Sequence, residues 1–108
     1  MSISWIYLIL AGLFEMGWPI GLKIAQMPEH RWTGIAAAIV FMSISGALLW
    51  LAQREIAIGT AYAVWTGIGA AGTFVVGVLF FNDAAGFLRW LGIAFIILGV
   101  VMLKMGAS

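Results

Sequence analysis

Glu15 is the residue of this sequence that is best placed to do chemistry. It lies in the interior of a long apolar stretch, whereas the other Asp, Glu, Lys and Arg residues lie at the edges of such stretches. A carboxylate at membrane depth costs about 2.5–3.5 kcal/mol to insert, so a small membrane protein that keeps one is expected to use it. Acids in this position are typical of proton relays and cation sites.

The residues around Glu15 fit a cation pocket. Gly12 and Trp18 lie three residues to either side, so the three share one helix face. Glycine leaves space, the carboxylate supplies charge, and the indole has an N–H donor and a π face; the alternative for Trp18 is a packing or interfacial aromatic residue. Pro19 removes the intrahelical partner of the Glu15 carbonyl. The resulting kink either frees an oxygen for a ligand or is a tolerated structural kink.

A second group of candidate residues lies in the third apolar stretch. Tyr62 and Trp65 share a face, and their polar tips can bond a carboxylate while their rings contact a cation. Gly67, Gly69 and Gly72 follow. These glycines indicate either a hinge or simply close packing between helices.

The second and fourth stretches contribute weaker signals. Ser45 lies in an apolar run, where a serine most often bonds its own helix, so spacing alone does not make it a partner of Glu15. Gly92 and Gly99 are seven residues apart and lie on one face, which predicts a helix–helix seam.

Composition predicts the elements that position these residues. The chain is 65% hydrophobic and 8% charged, whereas a soluble domain carries about 25% charged residues. Stretches of about 20 apolar residues span a bilayer as helices, because every backbone amide must be satisfied internally. We therefore predict an all-α fold in which residues 1–108 form one transmembrane domain, with helices at about 3–22, 33–52, 58–81 and 85–103.

The connections between these helices are short, so consecutive helices are expected to be antiparallel neighbours. Asn82 and Asp83 are predicted to cap the fourth helix. The first stretch lacks a basic leader and an obvious cleavage site, so it is read as a retained span.

Loop charges say little about orientation. Arg54 and Lys104 lie on the side of both termini, and Lys23, Arg31 and Arg89 lie on the other. This near balance gives almost no positive-inside bias. It is compatible with one weakly specified orientation or with insertion of different copies in opposite directions.

Several other chemistries are disfavoured. The chain has no cysteine and a single histidine, His30, in a polar loop, so neither a metal site nor a Ser–His–Asp triad is expected. It has no P-loop for ATP and no basic run for nucleic acid. We expect no cofactor and no enzymatic activity.

The whole chain resembles the small multidrug resistance (SMR) transporters. The resemblance rests on four short helices, a central acid in the first, and the run Ile-Gly-Thr-Ala-Tyr-Ala-Val-Trp-Thr-Gly-Ile-Gly-Ala at residues 58–70. Trp18 together with the Trp-Thr-Gly-Ile-Gly-Ala segment resembles the guanidinium exporter subtype. The quaternary-ammonium subtype usually has glycine in place of Trp18.

The resemblance implies an antiparallel homodimer in the bacterial inner membrane that exchanges protons for guanidinium-type cations and contacts membrane lipid. It implies that Glu15 binds substrate or protons and that Gly12 keeps space beside it. The implied site-lining residues are Trp18, Ser45, Tyr62 and Trp65, and Lys104 matches the lysine that ends the fourth helix.

One segment departs from the family pattern. After Trp18 the guanidinium exporters often read Ala-Ile-Ala-Leu-Lys, whereas this chain has Pro19, Ile20, Gly21, Leu22 and Lys23. Pro19 and Gly21 are expected to loosen the first helix or to reshape the pocket. Two rival functions stay open: a promiscuous quaternary-ammonium/proton antiporter, and a small membrane accessory subunit in which the buried acid makes an interhelical hydrogen bond.

Overall fold

The computed structural model describes residues 2–107, and the elements within them are helical. A 3-10 turn at Pro28–His30 leads directly into the helix that begins at Arg31. The α-helices are α1 (Ile3–Glu15), α2 (Gly17–Ile24), α3 (Arg31–Ala52), α4 (Ile58–Phe80) and α5 (Phe87–Gly106).

Four helical segments are long and apolar enough to cross a membrane: Ile3–Ile24, Pro28–Ala52, Ile58–Phe80 and Phe87–Gly106. The prediction of an all-α fold with four spans is confirmed. The helices begin or end a few residues from the predicted limits. Helix α5 continues three residues past its predicted end, to Gly106.

The first span divides immediately after Glu15, at Met16. The Met16 N–H donates to the Leu13 carbonyl three residues back (3.3 Å), and the Ile20 N–H donates to the Met16 carbonyl (3.3 Å). Met16 keeps right-handed helical angles, φ −63° and ψ −28°, so the break is a tightened turn within a continuing span. Pro19 accounts for its position, because proline cannot donate to the carbonyl four residues earlier.

The first span packs between α3 and α4. Its α2 half approaches α3 so closely that a Cβ on Gly21 would lie 2.8 Å from the Gly34 carbonyl oxygen. Gly21 therefore permits a close helix–helix contact. Small residues at such crossings are what allow membrane helices to approach.

Helix α5 packs chiefly on α4, where the Phe74 and Trp90 rings meet edge to face at 5.0 Å. Consecutive spans are neighbours in the first and last pairs, as predicted. The second and third spans share only a small contact, because α1 lies against both of them. They are still neighbours, because the Trp65 indole of α4 donates a hydrogen bond to Ser45 of α3.

The connection from α4 to α5 also differs from the expectation. Asn82 adopts a left-handed backbone with φ 58°, a conformation that asparagine tolerates better than most residues. The Asp83 N–H then donates back to the Gly77 carbonyl at 3.1 Å. Asn82 and Asp83 thus end α4, while α5 begins after Gly86 with no side-chain cap.

Candidate cation-binding site

Glu15 ends α1 at the mouth of a cleft between the first span and α4. The carboxylate is partly buried, and the cleft has a volume of about 280 Å³. Trp18 and Pro19 form the wall from α2. Across from them, α4 contributes Thr66, Gly69, Ala70 and Thr73.

A chain of hydrogen bonds ties three helices together behind the acid. The Trp65 Nε1–H donates to Ser45 Oγ at 2.8 Å, and Ser45 Oγ donates to the Ala11 carbonyl at 2.7 Å. The nearer carboxylate oxygen, Glu15 Oε1, lies 3.5 Å from the same hydroxyl. Ser45 is fully buried, so this hydroxyl fixes the Trp65 indole and lies within reach of the acid.

Ser45 therefore bonds a neighbouring helix. Ser43, two residues earlier, shows the behaviour expected of a serine in a membrane helix, because its Oγ donates to the Ile39 carbonyl of its own helix at 2.8 Å. The resemblance implied that Ser45 lies at the site. Spacing alone gave no basis for choosing it over Ser43.

The three glycines suspected of forming a hinge lie in a continuous stretch of α4. A Cβ on Gly69 would lie 2.6 Å from Glu15 Cγ, so this glycine makes the space that the acid occupies. Gly72 meets the Met16 side chain, and a Cβ on Gly67 would lie 2.6 Å from Val100 of α5. In this conformation all three permit close packing.

Trp18 presents a donor that the described residues 2–107 do not satisfy. Its Nε1 is buried and makes no hydrogen bond among them. A buried unpaired donor costs about 1–3 kcal/mol. The indole is therefore poised to donate to an acceptor that enters the cleft or moves within it.

Four of the predicted site residues do not line the cleft in this protomer: Ser45 and Trp65, which lie behind the acid, and Tyr62 and Gly12. The Tyr62 side chain is 56% exposed, and its ring lies 5.4 Å from that of Trp65 on the outer surface of the bundle. The space left by Gly12 is taken by Ile68, whose Cβ would lie 2.7 Å from a Cβ at position 12. Within one protomer Gly12 thus makes room for a neighbouring helix.

Comparison with known proteins gives the chain a family. The family described as Small Multidrug Resistance protein matches residues 3–96, which is most of the 108 residues.

The chain belongs to the small multidrug resistance family.

Relatives of this SMR protein are named for a substrate. A guanidinium exporter of Escherichia coli (strain K12) is 41% identical over 102 residues, covering 94% of this chain and 96% of the relative. One from Salmonella typhimurium is 42% identical over 104 residues, covering 96% and 98%. A third, from Proteus vulgaris, is 39% identical over 107 residues, covering 96% and 99%. The predicted resemblance is confirmed, and with its four apolar spans this SMR protein is an integral inner-membrane protein.

Reasoning from the sequence missed three residues that line the cleft of this SMR protein. Thr66, Ala70 and Thr73 occur with Gly69 at spacings of three, four and seven residues. That spacing marks one face of a helix. The two threonines flank the run of glycines, so their spacing from Gly69 is the sequence signal that marks this face.

The glycines predicted to form a dimer seam lie on the surface of the SMR protomer. A Cβ built on Gly92 or Gly99 meets nothing within 4 Å, and α5 has no buried residue. A single protomer therefore gives these glycines no packing role.

Proposed function

We propose that this protein exports guanidinium or small guanidinyl cations in exchange for protons, with Glu15 as the shared binding group. Two lines of support meet here. The curated relatives are named guanidinium exporters, and the cleft at Glu15 combines one acid with one indole, two threonine hydroxyls and small residues. The names of the relatives describe transport, so we propose no catalysed reaction.

The carboxylate suits the proposed cargo. Guanidinium is planar and carries N–H groups that pair with both oxygens of a carboxylate. Trp18 lines the cleft together with Glu15, and its aromatic face stabilises a cation there. Trp65 is linked to the acid through the Ser45 hydroxyl. Ser45, within 3.5 Å of Glu15 Oε1, orients the acid. A carboxylate that has released its cation can take a proton, so the two ligands compete for one group.

An antiparallel homodimer completes the proposed site. Helix α5 exposes its whole length and carries the open glycine face of Gly92 and Gly99, which suits packing against the same helix of a second copy. The near balance of loop charges allows copies to insert in both directions. Two copies bring two Glu15 carboxylates together, and Tyr62, exposed in one protomer, is then available to gate the site.

Exchange requires that access change only when the acids are occupied. In the proposed cycle, a bound cation or bound protons permit the change of access, and the empty, doubly deprotonated dimer does not change. Gly67, Gly69 and Gly72 are the positions at which α4 would bend. If empty dimers changed access freely, the proton gradient would dissipate without moving cargo.

The test is uptake of radiolabelled guanidinium into proteoliposomes under a pH gradient. Wild-type protein should show saturable, gradient-dependent uptake, and Glu15→Gln should reduce it to the level of empty vesicles. Glu29→Gln is the matched control, because Glu29 is an exposed acid in the first loop. Substantial gradient-driven uptake by Glu15→Gln contradicts the scheme.

The same vesicles separate the rivals. A quaternary-ammonium exporter would move a tetraalkylammonium ion faster than guanidinium, and an accessory subunit would show no saturable, pH-dependent binding of either cation. Preference for guanidinium is the expected result.

A further inference from the structure

Two clefts meet along one groove of this protein. The cleft at Glu15 is continued toward the membrane surface by a second of about 200 Å³, and the two share Pro19 and Thr73 as lining residues. The outer cleft ends at Lys23 and Asp83. The two clefts are therefore adjacent, one at the acid in the first span and the other at a charged end.

The two walls of this groove have matching periods. Glu15, Pro19 and Lys23 recur every four residues on the first span, and Gly69, Thr73 and Gly77 recur every four residues on α4. Residues four apart lie one above another on a helix face. Eight residues of helix advance about 12 Å, so the groove covers much of one bilayer leaflet.

Asp83 is held at the outer end by the backbone. Its N–H donates to the Gly77 carbonyl, and the left-handed Asn82 turns the chain so that the carboxylate lies directly over Gly77. A Cβ on Gly77 would collide with Asp83 Oδ2. Gly77 is buried, so only glycine leaves space for the carboxylate to rest against α4 at this point.

We propose that this groove is the route of the cation between Glu15 and water, with Asp83 as an outer acceptor and Thr73 as a polar step between the two acids. The inference rests on the proposed function and extends it to residues outside the Glu15 cleft. The Asp83 carboxylate attracts a cation to the outer cleft, and Lys23, which lines the same cleft, offsets part of that attraction. A weaker outer site can release the cargo as well as accept it.

This role predicts a rate effect without a matching effect on equilibrium binding. Asp83→Asn should lower the initial rate of guanidinium uptake, measured well below saturation, by about tenfold, the lower end of what charged clefts contribute to association. Thr73→Val keeps the shape of the side chain and removes its hydroxyl. It should lower the initial rate by about threefold, about half of the 1.4 kcal/mol that a tenfold change represents. Asp83→Glu should stay within about twofold of wild type because it keeps the carboxylate, and so should Glu29→Gln because Glu29 does not line either cleft.

Equilibrium binding of guanidinium to purified protein, followed by tryptophan fluorescence, should change less than about twofold in Asp83→Asn, because Glu15 is intact and association and dissociation slow together. Raising the salt concentration should slow wild-type uptake more than uptake by this variant. Gly77→Ala should mimic Asp83→Asn, and the double variant should be no slower than either single one, since both changes remove the same carboxylate from the groove.

Two results would overturn the route. One is an Asp83→Asn uptake rate equal to that of Glu29→Gln. The other is loss of uptake together with an equal loss of equilibrium binding, which would give Asp83 a structural role. Failure of the proposed function is seen separately, because wild-type vesicles would then take up no guanidinium.

Discussion

The packed region around the first span and the bare helix α5 are built in opposite ways. Helix α4 buries mainly small residues, among them Ala61, Val64 and Gly67, against its neighbours, and Leu8 and Ser45 are fully buried beside it. Helix α5 buries none of its 20 residues. Both are equally suited to a membrane by length and composition, so apolarity alone does not say which helix will be packed.

The difference indicates which region can bind a cation and which can contact a second copy. An acid and its hydrogen-bond partners need a fixed, dry setting, and the packed region supplies it through glycines that let backbones approach. A helix that packs on one neighbour and leaves the rest of its surface open is suited to contact with lipid or with another protein. In our account α5 assembles the dimer, and the packed region of each copy carries the chemistry.

The sharpest way to break this comparison is to fill the space beside the acid. Gly69→Ala places a methyl group 2.6 Å from Glu15 Cγ, and overpacking of this kind costs about 1–3 kcal/mol. Guanidinium affinity should fall by about tenfold or more. Binding titrations on purified protein measure this.

The control for that variant is Gly46→Ala, because a Cβ at Gly46 meets nothing within 4 Å. The titration also separates two roles of Gly69. A glycine that acts only as a hinge would leave equilibrium affinity intact and slow transport alone, and that outcome would refute the space-making role.

A second change tests the bare helix. Gly99→Leu adds a large side chain where the protomer has open space, so the fold of one protomer should be unaffected. If this face packs against its copy, the dimer should become weaker. Its dissociation constant should rise by about tenfold or more, and tenfold is equivalent to 1.4 kcal/mol. Cross-linking in detergent over a dilution series measures the shift.

Gly46→Leu is the matched control, since it enlarges an equally open glycine on α3. Equal dimerisation by wild type, Gly46→Leu and Gly99→Leu would remove α5 from the interface.

A third change tests the hydrogen-bond chain within the packed region. Ser45→Ala leaves the partly buried Trp65 indole without its acceptor and removes the hydroxyl 3.5 Å from Glu15. Guanidinium affinity should fall by about fivefold, at the lower end of the cost of an unsatisfied buried donor. Ser43→Ala should have no such effect, because Ser43 bonds only its own helix. Equal affinities in the two variants would show that the chain does not orient the acid.

The smallest effect is expected where the packed region reaches the membrane surface. Ser4 Oγ, almost fully buried, donates to Glu55 Oε1 at 2.8 Å and so joins the first span to the turn after α3. Ser4→Ala should cost about 1 kcal/mol of unfolding free energy, the net contribution of an ordinary hydrogen bond. Glu55→Gln keeps an acceptor and should cost less. Thermal unfolding in detergent measures both, and a change in guanidinium affinity would contradict this purely structural role.

Hydropathy was enough to predict the four spans, because the bilayer requires long apolar helices whatever their neighbours are. It could not predict their arrangement. Nothing in the pattern of α3 and α4 indicates that α1 lies between them, and the backbone contact of Gly21 with Gly34 depends on two helices crossing at that point. Contacts between segments far apart in sequence are the information that a periodic pattern lacks.

The candidate site was also predictable only in part. Glu15 stands out by charge alone, and Trp18 follows from its spacing to that acid. Ser45 and Ser43 look alike in the sequence, and only the packing of α3 against α1 distinguishes them. Asp83 was assigned to a helix cap on residue preference, whereas the left-handed turn at Asn82 directs it back over α4.

The most direct measurement of the central claim is the release of protons when guanidinium binds. Purified wild-type protein in weakly buffered detergent solution, followed with a pH indicator, should acidify the medium as guanidinium saturates it, because cation and proton compete for the Glu15 carboxyls. Glu15→Gln should release none. Saturable guanidinium binding to the wild type with no proton release would contradict the account.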